Sequence, residues 1–210
     1  MPRIGILAVQ GAFAAHAAVL EGLGHVPVEV RAPRGIDELD GLVLPGGEST
    51  AQLKLIEALG LRPGIVALCR HRPVLATCAG LILLAQRVSN PEQDSLGLLE
   101  VSVGRNAWGR QVDSFEARSA GGRPLVFIRA PRLLAVSPAV AVLDRYVGEP
   151  VAVRQGNIVA LTFHPELAGD TFFYELAFAT RQAATFTAPK YTTGTDSNAA
   201  ITQRETDRPA

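Results

Sequence analysis

Three residues in this sequence have the types and settings of a nucleophile, a base and an orienting acid. Ala76-Thr77-Cys78-Ala79-Gly80 joins two apolar runs, Pro73–Thr77 and Ala79–Val88, which read as a strand followed by a helix. A nucleophile on so tight a strand-to-helix turn projects its side chain out of the sheet. Small neighbours let the turn close, and the positive end of the helix dipole favours a thiolate. A cysteine without such a setting is most often a small buried apolar residue, and Cys69, within Leu68-Cys69-Arg70-His71, is read that way. A thiolate also needs an imidazole and a group to hold the ring. Of the four histidines, His16, His25, His71 and His164, the last follows a strand-like run that ends at Phe163. Glu166 stands two residues further on, within reach of the ring nitrogen that faces away from the sulfur.

A second motif, Leu44-Pro45-Gly46-Gly47-Glu48-Ser49-Thr50, also lies between a strand-like and a helix-like run. Paired glycines allow the backbone to turn N–H groups toward an anion. A phosphate loop would need Gly-Lys-[Ser/Thr], and no lysine is present here. The loop therefore suits an oxyanion and a zwitterionic substrate better than a nucleotide. The expected oxyanion donors are the backbone N–H groups of Gly47 and Ala79, each worth about 3 kcal/mol in a transition state.

These residues need a scaffold that gathers them. Apolar runs at Ile4–Val9, Val26–Val30, Gly41–Leu44 and Pro73–Thr77 predict strands buried on both faces. They alternate with helices predicted at Ala12–Leu23, capped by Gly24, at Ser49–Leu59, capped near Ser49 or Thr50, and at Ala79–Val88. Phe13, Ala17, Leu20 and Leu23 mark the apolar side of the first helix. The second half predicts strands at Leu98–Val103, Gln111–Ala117, Leu125–Ile128, Ala139–Tyr146, Val151–Gln155 and Ile158–Phe163. Gln155-Gly156-Asn157 is a hairpin signal, and a last helix is predicted over Asp170–Ala184. The fold class is α/β: a doubly wound, mostly parallel sheet flanked by helices, with added antiparallel strands. Residues 1–184 are expected to form one domain and 185–210 a polar tail that holds few residues able to build a core and is expected to be disordered.

Composition narrows the function classes. The 210 residues carry 20 Lys+Arg against 20 Asp+Glu, a balance unlike that of a nucleic-acid binder. The apolar share of 48% and charged share of 19% are those of a globular enzyme. Two cysteines do not make a disulfide framework. No Cys/His cluster has metal-ligand spacing, no apolar run is long enough for a membrane span, and the first residues lack a secretory leader pattern. A cytoplasmic location is expected.

Taken together, the motifs resemble the class I (triad) glutamine amidotransferases, with their flavodoxin-like α/β fold. More narrowly they resemble the glutaminase subunits of the two-protein pyridoxal 5′-phosphate synthases. The stretches that carry the resemblance are Leu7–Ala12, Leu44–Thr50, Thr77–Ala85, Arg105–Phe115, Phe127–Pro131 and Phe163–Leu167. Arg105–Phe115 and Phe127–Pro131 narrow it to vitamin B6 synthesis. The resemblance implies a triad of Cys78, His164 and Glu166. It implies glutamine binding by Gly46, Gly47, Glu48, Arg105, Ile128 and Arg129, with Arg105 or Arg129 as the planar fork for the substrate carboxylate. It further implies L-glutamine as substrate and a synthase subunit as partner in a large hetero-oligomer. Pyridoxal phosphate is then the product of the pair, and this chain itself needs no cofactor. Three departures stand out: Ala76 where the family has glycine, a shortened Leu61–Arg72 segment, and the extra tail.

The same elbow would also serve a protease-like or deglycase-like cysteine hydrolase, and a non-catalytic subunit that only binds the synthase is a third reading. In the first, Arg105 and Ile128-Arg129 would have no glutamine to bind. In the second, the intact Cys78, His164 and Glu166 would have no task. The glutaminase reading also carries an expectation about control: the isolated chain is slow because the Gly46-Gly47 peptide leaves the oxyanion hole incomplete until the partner docks.

Overall fold

The computed structural model describes residues 1–105 and 114–179. Its centre is a seven-stranded sheet of β1 (Arg3–Leu7), β2 (Val26–Val30), β3 (Gly41–Leu44), β4 (Val74–Thr77), β10 (Ala141–Tyr146), β11 (Glu149–Gln155) and β12 (Ile158–Leu161). The order is β10-β11-β12-β4-β3-β1-β2. From β12 to β2 all neighbours are parallel, while β11 is antiparallel to both β12 and β10. The two antiparallel strands thus extend one edge of a parallel sheet, and Gly156 makes the predicted β11–β12 turn with φ 57°.

Each parallel strand divides its side chains between two cores, because successive residues face opposite sides. Leu42, Leu44, Val74, Ala76, Ile158 and Ala160 face one side. They pack with residues of α2 (Ser49–Ala58), α3 (Arg62–His71) and α4 (Ala79–Leu84). Ile4, Ile6, Val43, Leu75, Val159 and Leu161 face the other. There they meet α1 (Phe13–Gly22), α6 (Phe172–Phe178) and the hairpin of β7 (Ser114–Arg118) and β8 (Pro124–Ile128). Burial on both faces explains why these strands read as unbroken apolar runs.

Several expectations need correction. The helix after Cys78 ends at Leu84, and Ala85–Ser89 is β5. Ala79–Leu84 is buried all round, whereas Gln86 and Arg87 are exposed between buried Ala85 and Val88. That mixed pattern breaks the helix's apolar continuity. β5 joins β6 (Leu99–Gly104) and β9 (Arg132–Val136) in a separate three-stranded sheet, and β7–β8 stand as a separate pair. The second half therefore does more than widen the first sheet. Arg62–His71, where no element was predicted, is the helix α3, with Pro63 in its first turn. α2 is capped by Glu48, whose carboxylate accepts from Thr50 N–H (3.1 Å) and Ala51 N–H (2.7 Å). Ser49 and Thr50 instead donate their hydroxyls to Gln93 Oε1 at 2.8 and 3.0 Å. The expected Gln111–Ala117 strand and Asp170–Ala184 helix run partly outside the described residues, and the 185–210 tail lies wholly outside them.

Candidate active site

The carboxyl ends of β1, β3, β4 and β12 converge, as open α/β sheets arrange for ligands. Cys78 follows β4 directly. Its backbone lies at φ 48°, ψ −103°, a sparsely populated conformation for a side-chain-bearing residue. It is held there by Cys78 N–H donating to Leu161 O at 2.8 Å. Close packing behind the turn also requires Gly80, since a Cβ there would come within 2.0 Å of Leu44 O. Ala79 is the first residue of α4, where N–H groups have no intrahelical acceptor. Ala76 fits inside the sheet, fully buried.

His164 precedes the short helix α5 (Pro165–Ala168), so Glu166 returns beneath the ring, and His164 Nδ1 lies 2.7 Å from Glu166 Oε1. The other nitrogen, Nε2, is buried and makes no hydrogen bond of full geometry. Burial works against protonation of this ring. Hydrogen bonding and charge attraction from the adjoining Cys78 sulfur and from Glu166 outweigh it and lift the pKa from 6.5 to about 10. Burial likewise opposes the charge on Glu166, but the His164 hydrogen bond and the nearby His16 and His164 rings hold its carboxyl below the usual range. Cys69 is the opposite case: buried in α3, its thiol is pushed up to about 12.

Cys78 and His164 line a cleft of about 350 Å³ with Gly46, Gly47, Glu48, Arg105, Ile128 and Arg129. This volume is at the small end for ligand sites. Gly46 packs on the imidazole so closely that a Cβ would come within 2.2 Å of His164 Cε1. Arg105 Nη2 donates to Glu48 Oε1 at 3.0 Å. Burial tends to raise the Glu48 pKa, but the Ala51 and Thr50 N–H groups and Arg105 prevail and lower it. Ile128 presents its carbonyl 3.8 Å from Cys78 Sγ, and Arg129 next to it adopts a left-handed φ of 42°. Among the described residues no group of three or more His, Cys, Asp or Glu is placed to hold a metal ion.

Residues 6–182 match the profile of the SNO glutamine amidotransferase family. The chain belongs to that family. It is 45% identical over 187 residues to the pyridoxal 5′-phosphate synthase subunit PdxT of Solibacter usitatus (strain Ellin6076), covering 84% of this chain and 97% of the relative. It is 48% identical over 179 residues to the PdxT subunit of Koribacter versatilis (strain Ellin345), covering 83% and 93%. A crystal structure of a glutamine amidotransferase matches with TM-score 0.77 and 42% identity, over 83% of this chain and 98% of that one. The motifs singled out above from the glycine loop to Glu166 therefore sit in an amidotransferase fold.

Several residues around the glutamine amidotransferase cleft were assigned no role from the sequence. Gln10 Oε1 accepts from Glu48 N–H at 2.8 Å, and Gln52 Nε2 donates to Gln10 O and Pro45 O at 2.9 and 3.2 Å. These bonds tie the β1 turn to the glycine loop. Thr77 Oγ1 accepts from Gly46 N–H at 3.0 Å. His16 lies behind the Glu166 carboxylate, Nε2 to Oε1 at 3.5 Å. The signal for His16 was its place in the apolar stripe of α1, three residues after Phe13 and four before Leu20. A polar residue at a core-facing position needs a partner.

Proposed function

We propose that this SNO-family amidotransferase hydrolyses L-glutamine to L-glutamate and ammonia through Cys78, His164 and Glu166. The ammonia passes to the synthase subunit of a pyridoxal 5′-phosphate synthase, the complex for which its relatives are named, in the cytoplasm. The observation that carries the reading is the line of thiol, imidazole and carboxylate, closed by the 2.7 Å His164–Glu166 contact, on the wall of a cleft that also holds an Arg105–Glu48 pair. A zwitterionic amino acid offers one carboxylate and one ammonium. Arg105 suits the first as a planar donor fork and Glu48 the second as an acceptor. Gly46, Gly47, Ile128 and Arg129 form the rest of the glutamine-binding wall.

Cys78 thiolate attacks the side-chain amide carbon, and the Gly47 and Ala79 N–H groups stabilise the oxyanion. Imidazolium His164 gives its Nε2 proton to the departing nitrogen, releasing ammonia and leaving a glutamyl thioester. His164 then takes a proton from water as the water oxygen attacks the thioester, and glutamate leaves as Cys78 is restored. Glu166 keeps the ring oriented and balances its charge throughout.

The test is ammonia release from glutamine in the presence of the cognate synthase. Cys78→Ala should abolish it with the fold intact, while Cys69→Ser should be nearly silent. Wild-type release by the Cys78 variant would remove the nucleophile assignment.

A further inference from the structure

Behind Glu166 a buried polar chain connects two parts of the centre that the mechanism treats separately. His16, on α1, has no exposed surface. Its Nδ1 lies 2.5 Å from the Tyr174 hydroxyl of α6. Its Nε2 lies 3.3 Å from Thr77 Oγ1 and 3.5 Å from Glu166 Oε1. Thr77 Oγ1 in turn accepts from Gly46 N–H, and Glu166 Oε1 also meets His164 Nδ1.

The protonation pattern of this chain follows from its partners. Burial pushes the His16 pKa down to about 4, with Glu166 opposing and His164 assisting. The ring is therefore neutral and has a single N–H. Burial, and secondarily Glu166, raises the Tyr174 phenol, so its proton stays. A bare Nε2 would set a lone pair against the Glu166 carboxylate. The imidazole proton belongs on Nε2, and Nδ1 accepts from the Tyr174 hydroxyl.

We propose that His16 is a positioning residue of the centre: one buried imidazole, locked in tautomer by Tyr174, joins the carboxylate that orients His164 to the threonine that holds the glycine loop. This rests on the reading of Cys78, His164 and Glu166 as the hydrolytic centre. Its Nε2–H steadies the charged form of Glu166 and keeps Thr77 turned to receive Gly46 N–H. The titratable groups that face Glu166 are His164 at the head of its own helix, His16 from α1 and Tyr174 from α6, with Cys78 beyond His164. Among the described residues, His16 and His164 are the side chains that bring a ring nitrogen to Glu166 Oε1, at 3.5 and 2.7 Å.

The experiment compares His16→Phe and His16→Gln in the full chain with its synthase, reading kcat, KM for glutamine, the pH profile of kcat/KM, and Tm. His16→Phe fills the space without a donor. Its kcat should fall about tenfold to a hundredfold, as for a lost hydrogen bond to a charged group. KM should stay within about threefold, because Arg105 and Glu48 are untouched. With less support for its charge, Glu166 titrates higher, so the acid limb should move up by about one pH unit. His16→Gln can offer an amide N–H in the place of Nε2 and should recover most of the rate and the limb. Two results overturn the proposal: a folded His16→Phe with wild-type kcat and profile, or equal impairment of both variants with an unmoved limb. If His16→Phe does not fold, Tyr174→Phe decides. It removes only the hydroxyl that fixes the tautomer and should move the limb the same way by less, and an unchanged profile with wild-type kcat sinks the idea. A Cys78→Ala control that still releases ammonia would instead remove the underlying centre, whatever the His16 variants do.

Discussion

At the residue scale the site is a set of opposed protonation preferences. His164 binds its proton more tightly in the folded protein than in the unfolded chain, and His16 binds its proton less tightly. The linkage signs follow. The stabilisation from His164 is fully present below pH 6.5 and is lost as pH rises toward about 10. That from His16 is fully present above 6.5 and is lost as pH falls toward about 4. Urea unfolding across this range should therefore show His164→Asn flattening the alkaline arm of the stability curve and His16→Gln the acid arm. Matching changes on one arm would contradict the two environments. On the proposed mechanism, His164→Asn would remove the group that moves the proton and should cost several orders of magnitude, whereas Glu166→Gln should cost less because the task proposed for it is to orient and stabilise. A Glu166 variant slower than the His164 variant would reverse the roles. The sequence disclosed the residues with a local signature: Cys78 by its elbow, His164 and Glu166 by their spacing after a strand. It assigned no role to Thr77, Tyr174 and His16, whose relevance comes from contacts such as His16–Tyr174 across a separation of 158 positions.

At the element scale, the parallel strands were legible because burial on both faces writes an unbroken apolar run, and Val26–Val30 and Gly41–Leu44 stand at their expected bounds. Ala79–Ser89 was misjudged because the six-residue helix Ala79–Leu84 is buried all round and shows no helical period, while β5, with Gln86 and Arg87 both exposed, shows no strand alternation. β9 carries an exposed Leu134 and Ala135, so it shows no clean inward-outward alternation and was missed. α5, four residues long, is too short for a helical period to appear. The elbow itself yields a prediction about packing. A methyl at Gly80 would come within 2.0 Å of a main-chain oxygen of β3, which cannot rotate away. Gly80→Ala should lower stability by about 2 kcal/mol or more and reduce activity by displacing Cys78, read by thermal melting and ammonia release together. Wild-type melting would mean that the turn relaxes freely. The glycine loop supplies the complementary case. Arg105→Ala leaves the backbone alone and removes the cation beside Glu48, so it should chiefly raise KM for glutamine. An unchanged KM would confine Arg105 to capping support for Glu48.

At the scale of the whole molecule, the cleft opens at the carboxyl edge of the sheet, where the Gln10–Ala12 turn and the glycine loop meet. On the proposed function, a synthase subunit docking on this edge would reach the glycine loop, the proposed source of one oxyanion donor, through the turn. The loop is held by Thr77 below, by Gln10 and Gln52 at its side, and by Ala12 N–H donating to Gly46 O at 3.1 Å. In a trans peptide the N–H points opposite to the C=O, so that last bond fixes which way Gly47 N–H faces. A change in the Gly46-Gly47 peptide would forfeit it, at a net cost of about 1 kcal/mol. Gaining or losing one oxyanion donor is worth about 3 kcal/mol. The donor contribution is the larger, so a partner that releases the Ala12–Gly46 bond has enough leverage to control the rate. Glutaminase activity should accordingly rise roughly a hundredfold on addition of the cognate synthase without its sugar substrates. Gly11→Ala offers a second reading of the same device. Its Cβ would come within 2.0 Å of Gly46 O, so it should force the peptide out of its present orientation and change the basal and stimulated rates unequally. Equal rates with and without synthase in the wild type would mean that the hole is already complete and that docking serves ammonia transfer alone.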